Sequence, residues 1–356
     1  MTYSRSLLRL TSVVCLFFII AGCAPSERAV EPQAPPEQIL PAPAEEVQPP
    51  VKEEVAPKAE PGKETADLAL KFAPGDTTAY RVITEAEQRV QWEGPLPPEP
   101  GFQGGRNHTR IEMTFTQRIQ SVDDKGNAIA EITIGGVKYY NMQKDMEKLD
   151  FDNATFADKE HPLAMIVGKS YTIELSTTGN VVKVVDANEA RLAARRGSVV
   201  PIDALSLLRP DAIATRHSLI MLPPPNESKV TLGGKWSKMK EVSFGLMGSK
   251  SYEKVYTLTQ VKDTDGRKIA VAQMQAIPGP QTPEELQKKK ESGIEEMFDN
   301  TGEYTGQLEF DLTAGKVRKY SEDLKAQWVA VEQKDANEPA SLKMTASRHF
   351  SLEQID

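Results

Sequence analysis

From Leu68 onward the chain alternates apolar and polar residues with a period of two, and no other pattern in it restricts the fold as strongly. Tyr80, Val82, Thr84, Ala86, Val90 and Trp92 fall on one side of such a segment, and Arg81, Glu85, Glu87, Arg89 and Gln91 on the other. Ile111, Met113, Phe115 and Ile119 alternate in the same way with Arg110, Glu112, Thr114, Thr116 and Arg118. Successive side chains of a strand point to opposite faces, so this is the signature of antiparallel sheet with one buried and one wet face. Asp124-Lys125-Gly126-Asn127 turns the chain into 128–134, and Thr178-Gly179-Asn180 joins Tyr171, Ile173 and Leu175 to 181–185; both read as hairpins. The stretch Glu93 to Arg110, rich in Pro and Gly, reads as a long loop.

The plan recurs in the second half. Gln120–Ala130 aligns with Gln260–Ala270 at an offset of 140, with Gln, Asp, Gly, Ile and Ala in place. Ile173–Lys183 resembles Phe310–Lys319, one residue shorter. Two matched hairpins in the same order point to a duplicated β unit over 68–186 and 228–323. Convergence on shared turn chemistry gives the same matches without duplication, because Gly and Asx are what turns demand. Helices are few: 187–196, 202–221 ended by Pro223-Pro224-Pro225, and a segment opened by Thr282-Pro283 that runs to about Phe298. Strands near 324–332 and 342–352 close the chain. The expected fold is therefore mainly β (α+β): antiparallel sheets from two β units, 66–226 and 227–356, with a few covering helices.

Ahead of this body lies a different kind of sequence. Arg5 and Arg9 precede a mostly apolar run from Leu10 to Ile20, too short to span a bilayer as a helix, which needs roughly 20 residues. A short basic segment, a short apolar one and then small residues is a secretory signal. It ends in Ile20-Ala21-Gly22-Cys23, which resembles the lipobox of bacterial lipoproteins: an aliphatic residue, two small ones and a cysteine. The resemblance implies cleavage between Gly22 and Cys23, with diacylglyceryl on the Cys23 thiol and residues 1–22 lost. Ala24 stands where some Gram-negative lipoproteins carry the aspartate that keeps them in the inner membrane, which implies the outer membrane, facing the periplasm. Residues 24–65 hold ten of the 25 prolines, nine acidic side chains against four basic ones, and no aromatic residue. Such a segment buries too little apolar surface to offset its ordering entropy, so it reads as a disordered tether. At about 3.1 Å per residue in polyproline II it reaches on the order of 100 Å.

Inventory removes several chemistries. Both cysteines, Cys15 and Cys23, precede the body, which therefore has no disulfide, thiolate nucleophile or cysteine metal site. Of the net charge of −8, the tether accounts for −5 and the signal for +2, leaving about −5 on the body. With no basic field to attract phosphate backbones, nucleic acid is not an expected partner. The four histidines, His108, His161, His217 and His349, share no metal-ligand spacing. Asp263-Thr264-Asp265-Gly266 opens like a calcium loop but lacks the later ligands, and reads as a hairpin turn. Asp150 and Asp152 have the chemistry of an acid and base pair, and nothing in the sequence separates them from a solvated loop. No nucleophile elbow, phosphate loop or other cofactor pattern is present, so no enzymatic activity and no cofactor or metal are expected.

Leu70-Lys-Phe-Ala-Pro-Gly-Asp76 leading to Tyr80, Gly168-Lys-Ser-Tyr-Thr-Ile-Glu-Leu175, and Tyr304-Thr-Gly-Gln-Leu-Glu-Phe-Asp-Leu312 resemble an uncharacterised bacterial lipoprotein domain family of unknown function. That family carries no activity to transfer. In architecture the chain is similar to periplasmic carriers of lipids and lipoproteins, which hold acyl chains between a curved sheet and its helices. Three roles follow: a membrane-tethered binding or scaffold module with an envelope-protein partner; a carrier of a hydrophobic ligand in a cavity lined by Leu205, Leu208, Ile213 and Ile220; and, least supported, a hydrolase-type enzyme.

Overall fold

The computed structural model describes residues 64–93, 104–244, 249–279, 297–332 and 340–355. The alternating segments form strands, longer than the pattern alone delimits. In the first half these are β1 (Thr65–Asp67), β2 (Thr77–Glu93), β3 (Gly105–Val122), β4 (Ala128–Gln143), β5 (Met146–Asp152), β6 (Ser170–Leu175) and β7 (Val181–Asp186). In the second they are β8 (Lys229–Thr231), β9 (Lys235–Ser243), β10 (Ser249–Thr264), β11 (Arg267–Pro278), β12 (Met297–Asp311), β13 (Lys316–Glu332) and β14 (Ala340–Ile355). Four short helices interrupt the strands: α1 (Pro162–Met165), α2 (Asn188–Arg195), α3 (Ile202–Leu207) and α4 (Pro210–His217). The fold is mainly β and antiparallel throughout, as the alternation requires.

One sheet of twelve strands runs in the order β7-β6-β4-β3-β2-β14-β13-β12-β11-β10-β9, with β5 also on β4, while β1 and β8 make a small separate sheet. The two β units meet where the last strand, β14, pairs with the first long one, β2, from Ser341↔Glu93 to Ile355↔Ala79. The two aligned hairpins occupy equivalent places: β4 lies between β3 and β6, and β11 between β10 and β12. Both first hairpins also carry a bulge close to the turn, at Ile119/Ser121 and at Leu258/Gln260. Their turns differ. Asp123–Asn127 closes around Gly126 at φ 83, whereas Asp265 and Gly266, at φ 52 and 75, form a two-residue turn of the mirror-image type that suits strand twist.

Three expectations change. Gly105–Arg110 belong to β3 rather than to a loop, because β2 is long enough to pair with them from Val90↔Gly105 to Glu85↔Arg110. The single helix over 202–221 is two: Pro210 has no amide hydrogen to donate, Arg209 before it is extended at ψ 146, and the chain restarts as α4. The helix expected over 282–298 lies outside the described residues except for Met297 and Phe298, which open β12.

The apolar face is covered in two ways. In the first half, Ile132 and Ile134 of β4 and Tyr171 and Ile173 of β6 lie in one buried cluster with Leu163, Ala190, Ala204, Leu207, Leu208 and Ile213 from the helical region. In the second half the sheet covers itself. In a flat sheet β9 and β14 would lie five strand spacings apart, about 24 Å. Instead Phe244, just past β9, stacks edge-on against Trp328 at 4.7 Å, and Arg348 of β14 donates to the carbonyl of Ser243. The strands therefore roll until the edge strand faces β13 and β14 across a side-chain-filled interior.

Gly266→Ala tests how the β10–β11 register is set. Nothing stands within 4 Å of the added methyl group, so the effect is purely that of the left-handed backbone. We expect a loss of about 1 kcal/mol, read as a lower urea midpoint with an unchanged slope.

Candidate functional site

Gly22, Cys23 and the tether up to residue 63 lie outside the described residues; the expected tether ends earlier than residue 65, because Thr65 opens β1 and pairs with Thr231, and the Glu64 carbonyl accepts from the Leu232 amide. Leu208 and Ile213 are fully buried, Leu205 packs half-buried against the same core, and Ile220 is half-buried beyond α4. None of the four lines either of the two hollows described below. The histidines are dispersed. His108 Nε2 meets Glu85 Oε1 at 2.8 Å, and His349 Nδ1 meets Asp323 Oδ1 at 2.8 Å. His161 caps α1 by accepting from the Leu163 amide, while His217 is buried. Asp150 is exposed on β5 and Asp152 ion-pairs with Lys138 at 3.5 Å, so neither is held against a partner acid. Among the described residues no three His, Cys, Asp or Glu side chains gather as a metal site, and no helix is long and apolar enough to cross a membrane.

One hollow, of about 360 Å³, crosses β2, β12, β13 and β14. Its Glu87, Ser347 and Lys325 form one cross-strand row, with Thr345 and Gln327 in the next. These side chains belong to the polar face, where Glu85, Glu87 and Glu112 pair with Arg81, Arg106, His108 and Arg110. Gly302, Ala326 and Ala346 complete the lining, so the hollow presents both polar and apolar groups. The second hollow, about 30 Å³, lies at the end of α4 beside Arg216 and His217. Pockets that enclose a drug-sized ligand run to roughly 300–1,000 Å³, so this one holds a water or two, or a small ion.

Two buried polar clusters stand out, and the alternation pattern carries a trace of each. Lys254 falls on the apolar face of β10 between Tyr252 and Tyr256, and its side chain is wholly buried in the roll. Its ammonium ion-pairs with the Glu322 carboxylate and donates to the Tyr320 hydroxyl at 2.9 Å. Tyr320 and Tyr304 also donate to Glu322 Oε2, at 2.7 and 3.3 Å. Burial pushes the Glu322 carboxyl up, but Lys254 and these donors outweigh it and hold it below the usual carboxylate range. Burial raises Tyr256, Tyr304 and Tyr320, so all three remain neutral. Every partner is used within the cluster. It is a closed network suited to fixing the roll.

The other cluster is His217, Tyr171 and Arg216. The Tyr171 hydroxyl meets His217 Nε2 at 2.6 Å, and Phe115 packs edge-on against the ring at 4.5 Å. Burial, helped by the adjacent Arg216 charge, holds His217 well below its ordinary value, so the imidazole is neutral and Tyr171 donates to it. On the outside of the helical region a run of aliphatic residues is exposed: Leu192, Val199, Val200 (75%) and Ile202, beside exposed Arg195 and Arg196.

No protein-family model matches the chain, and no curated protein matches it. Among solved structures it is similar to the one titled "Lipid-protein interactions in lipovitellin", at 11% sequence identity and a TM-score of 0.35. That likeness covers 80% of this chain, which spans about a quarter (26%) of the other.

The Lys254 cluster gives a double-mutant test. Lys254→Met alone strands a carboxylate in the roll and should cost about 3–5 kcal/mol, whereas Lys254→Met with Glu322→Leu should cost clearly less. Denaturant unfolding of the three variants measures both.

Proposed function

We propose that this protein is a lipid-anchored component of a bacterial cell envelope, acylated at Cys23, and that its β-rich body acts there as a binding or scaffold module rather than as a catalyst. The observation that carries this reading is Ile20-Ala21-Gly22-Cys23 at the end of a short basic and apolar leader. An acylated amino terminus with two or three chains holds a protein at a membrane durably, whereas one chain is marginal. The proline- and glutamate-rich spacer after it would let the body stand off from the lipid surface, and Ala24 favours the outer membrane in a cell with two.

For the body, binding is favoured over chemistry by what its side chains do. The buried titratable groups at Lys254 and Glu322 are committed to one another, and the histidines are spread over separate places. The exposed aliphatic run from Leu192 to Ile202 and the hollow at Glu87 and Lys325 offer contact surface instead. Carriage of a lipid or acyl chain between sheet and helices has less support, because the cavity at the end of α4 is about 30 Å³.

Expression of the full chain in a Gram-negative host, followed by membrane fractionation and mass analysis of the amino-terminal peptide, tests the anchor. The expected product starts at Cys23, carries diacylglyceryl and an acyl chain, and sediments with the outer membrane. Cys23→Ala should abolish processing and the added mass. Recovery of residues 1–22 on a protein with an unmodified Cys23 would overturn the reading.

A further inference from the structure

The four histidines divide into two pairs by what their rings meet. His108 and His349 lie on long sheet strands, each 2.8 Å from a carboxylate, Glu85 and Asp323 respectively. A proton on either ring makes an ion pair there. His161 and His217 stand in the helical region, and each uses a bare ring nitrogen to accept a hydrogen bond.

At the start of α1, His161 Nδ1 accepts from the Leu163 amide at 3.3 Å. A backbone N–H can only donate, so that nitrogen carries no proton. The ring stacks on Phe151 at 5.1 Å and meets Phe156 edge-on at 5.2 Å. Two carboxylates pull it toward the charged form, but both are engaged elsewhere. Asp158 accepts from the Ser198 hydroxyl and the Glu160 amide, and Asp203 of α3 accepts from the Tyr139 hydroxyl at 3.1 Å. Burial outweighs their pull and lowers His161.

At the end of α4, His217 is buried with Nε2 2.6 Å from the Tyr171 hydroxyl. That hydroxyl accepts from Arg216, so its own proton is directed at His217. Phe115 of β3 closes the ring edge-on at 4.5 Å. The charges lining the adjoining hollow are Arg216, Lys71, Lys316 and Asp76, and Asp76 is paired with Lys316 at 3.4 Å. Burial first, and then the Arg216 charge, hold His217 well below its ordinary value. Protonation would uncap α1 at one ring and set a second cation beside Arg216 in a buried site at the other.

We propose that the helical region is an acid-sensitive cover: protonation of His161 and His217 releases α1 and α4 and bares the apolar residues of β4 and β6 beneath them, while the long strands stay paired. Both rings are neutral in the closed form. Their contribution is therefore complete above the ordinary histidine value, about pH 6.5, and is lost as pH falls below it. Carboxylates ordinarily titrate near pH 4, beneath that window. The residues bared include Ile132, Ile134 and Ile173. The inference is independent of whether Cys23 is acylated.

Amide hydrogen exchange of the full chain between pH 7 and pH 5, with each rate divided by the intrinsic rate at that pH, tests it. Opening of 162–217 should rise by up to a hundredfold per pH unit below about pH 6.5, tenfold from each histidine. Strands β2, β3, β13 and β14 should keep their protection. His161→Asn retains a capping acceptor and His217→Gln retains an acceptor for Tyr171, and neither titrates in this range. Each should remove one factor of ten from the slope, and the double variant should leave the helical amides indifferent to pH. Should His217→Gln fail to fold, His161→Asn alone should still reduce the slope and keep α1 protected at pH 5. Helical opening no greater at pH 5 than at pH 7 would overturn the proposal. So would an unchanged slope in His161→Asn, or equal loss of protection in the long strands.

Discussion

A twelve-stranded antiparallel sheet has more apolar face than four short helices can cover, and most of the structure follows from how that face is removed from water. Its central row can be followed strand by strand: Leu258, Ala272, Leu308, Tyr320, Leu352, Val82, Met113 and Val137 are successive cross-strand partners, and all are buried. That row crosses the junction between the two β units without a break. Burial of each large side chain in it contributes on the order of 1.5–3 kcal/mol. On one side of the junction helices close over the row, and on the other the strands curl over themselves. The helices that close over the first half come from residues 187–217, which are helix-forming and rich in alanine.

The roll determines where polar groups become buried. Lys254 and Glu322 stand three strands apart in the sheet order, about 14 Å in a flat sheet, and meet only because the sheet curves. Gly306, opposite Glu322, has no side chain; a Cβ there would lie 2.5 Å from the Ser321 carbonyl and against Met274. Close packing of β12 and the ion pair thus depend on the same curvature. Removing one member of the pair leaves a charge in an interior of neutral tyrosines, so the cluster acts as a specificity device for one curved form more than as a source of net stability. In the Arg216 and His217 cluster a neutral imidazole meets the Tyr171 hydroxyl and the guanidinium donates to the Leu207 carbonyl.

Much of the fold was legible in the alternation. The strand faces, both aligned hairpins, α2 and the closing strands follow from a period of two, from turn residues and from the scarcity of helical segments. Curvature was not legible, because it depends on contacts such as Phe244 with Trp328, 84 residues apart, that no local pattern encodes. Pro210 announced a break within 202–221, yet the apolar content of that segment outweighed it in reading one helix. For the candidate site, Leu205, Leu208 and Ile213 lie in the helical region and Ile220 just past α4, and none of the four lines either hollow described. Lys254 and Arg216 were visible as charges on apolar segments, and that conflict between local pattern and residue type is the signal that finds buried polar sites.

The central claim is that β2 and β14 weld the strands of the first and second halves into a single sheet. Amide hydrogen exchange of the full chain under mildly denaturing conditions tests it most directly, because exchange resolves which strands open together. The account predicts that β2, β3, β13 and β14 share one high opening free energy and lose protection in a single step with β10 and β11. Loss of protection throughout β9–β13 while β2–β4 remain closed would show that the halves unfold separately, and would contradict it.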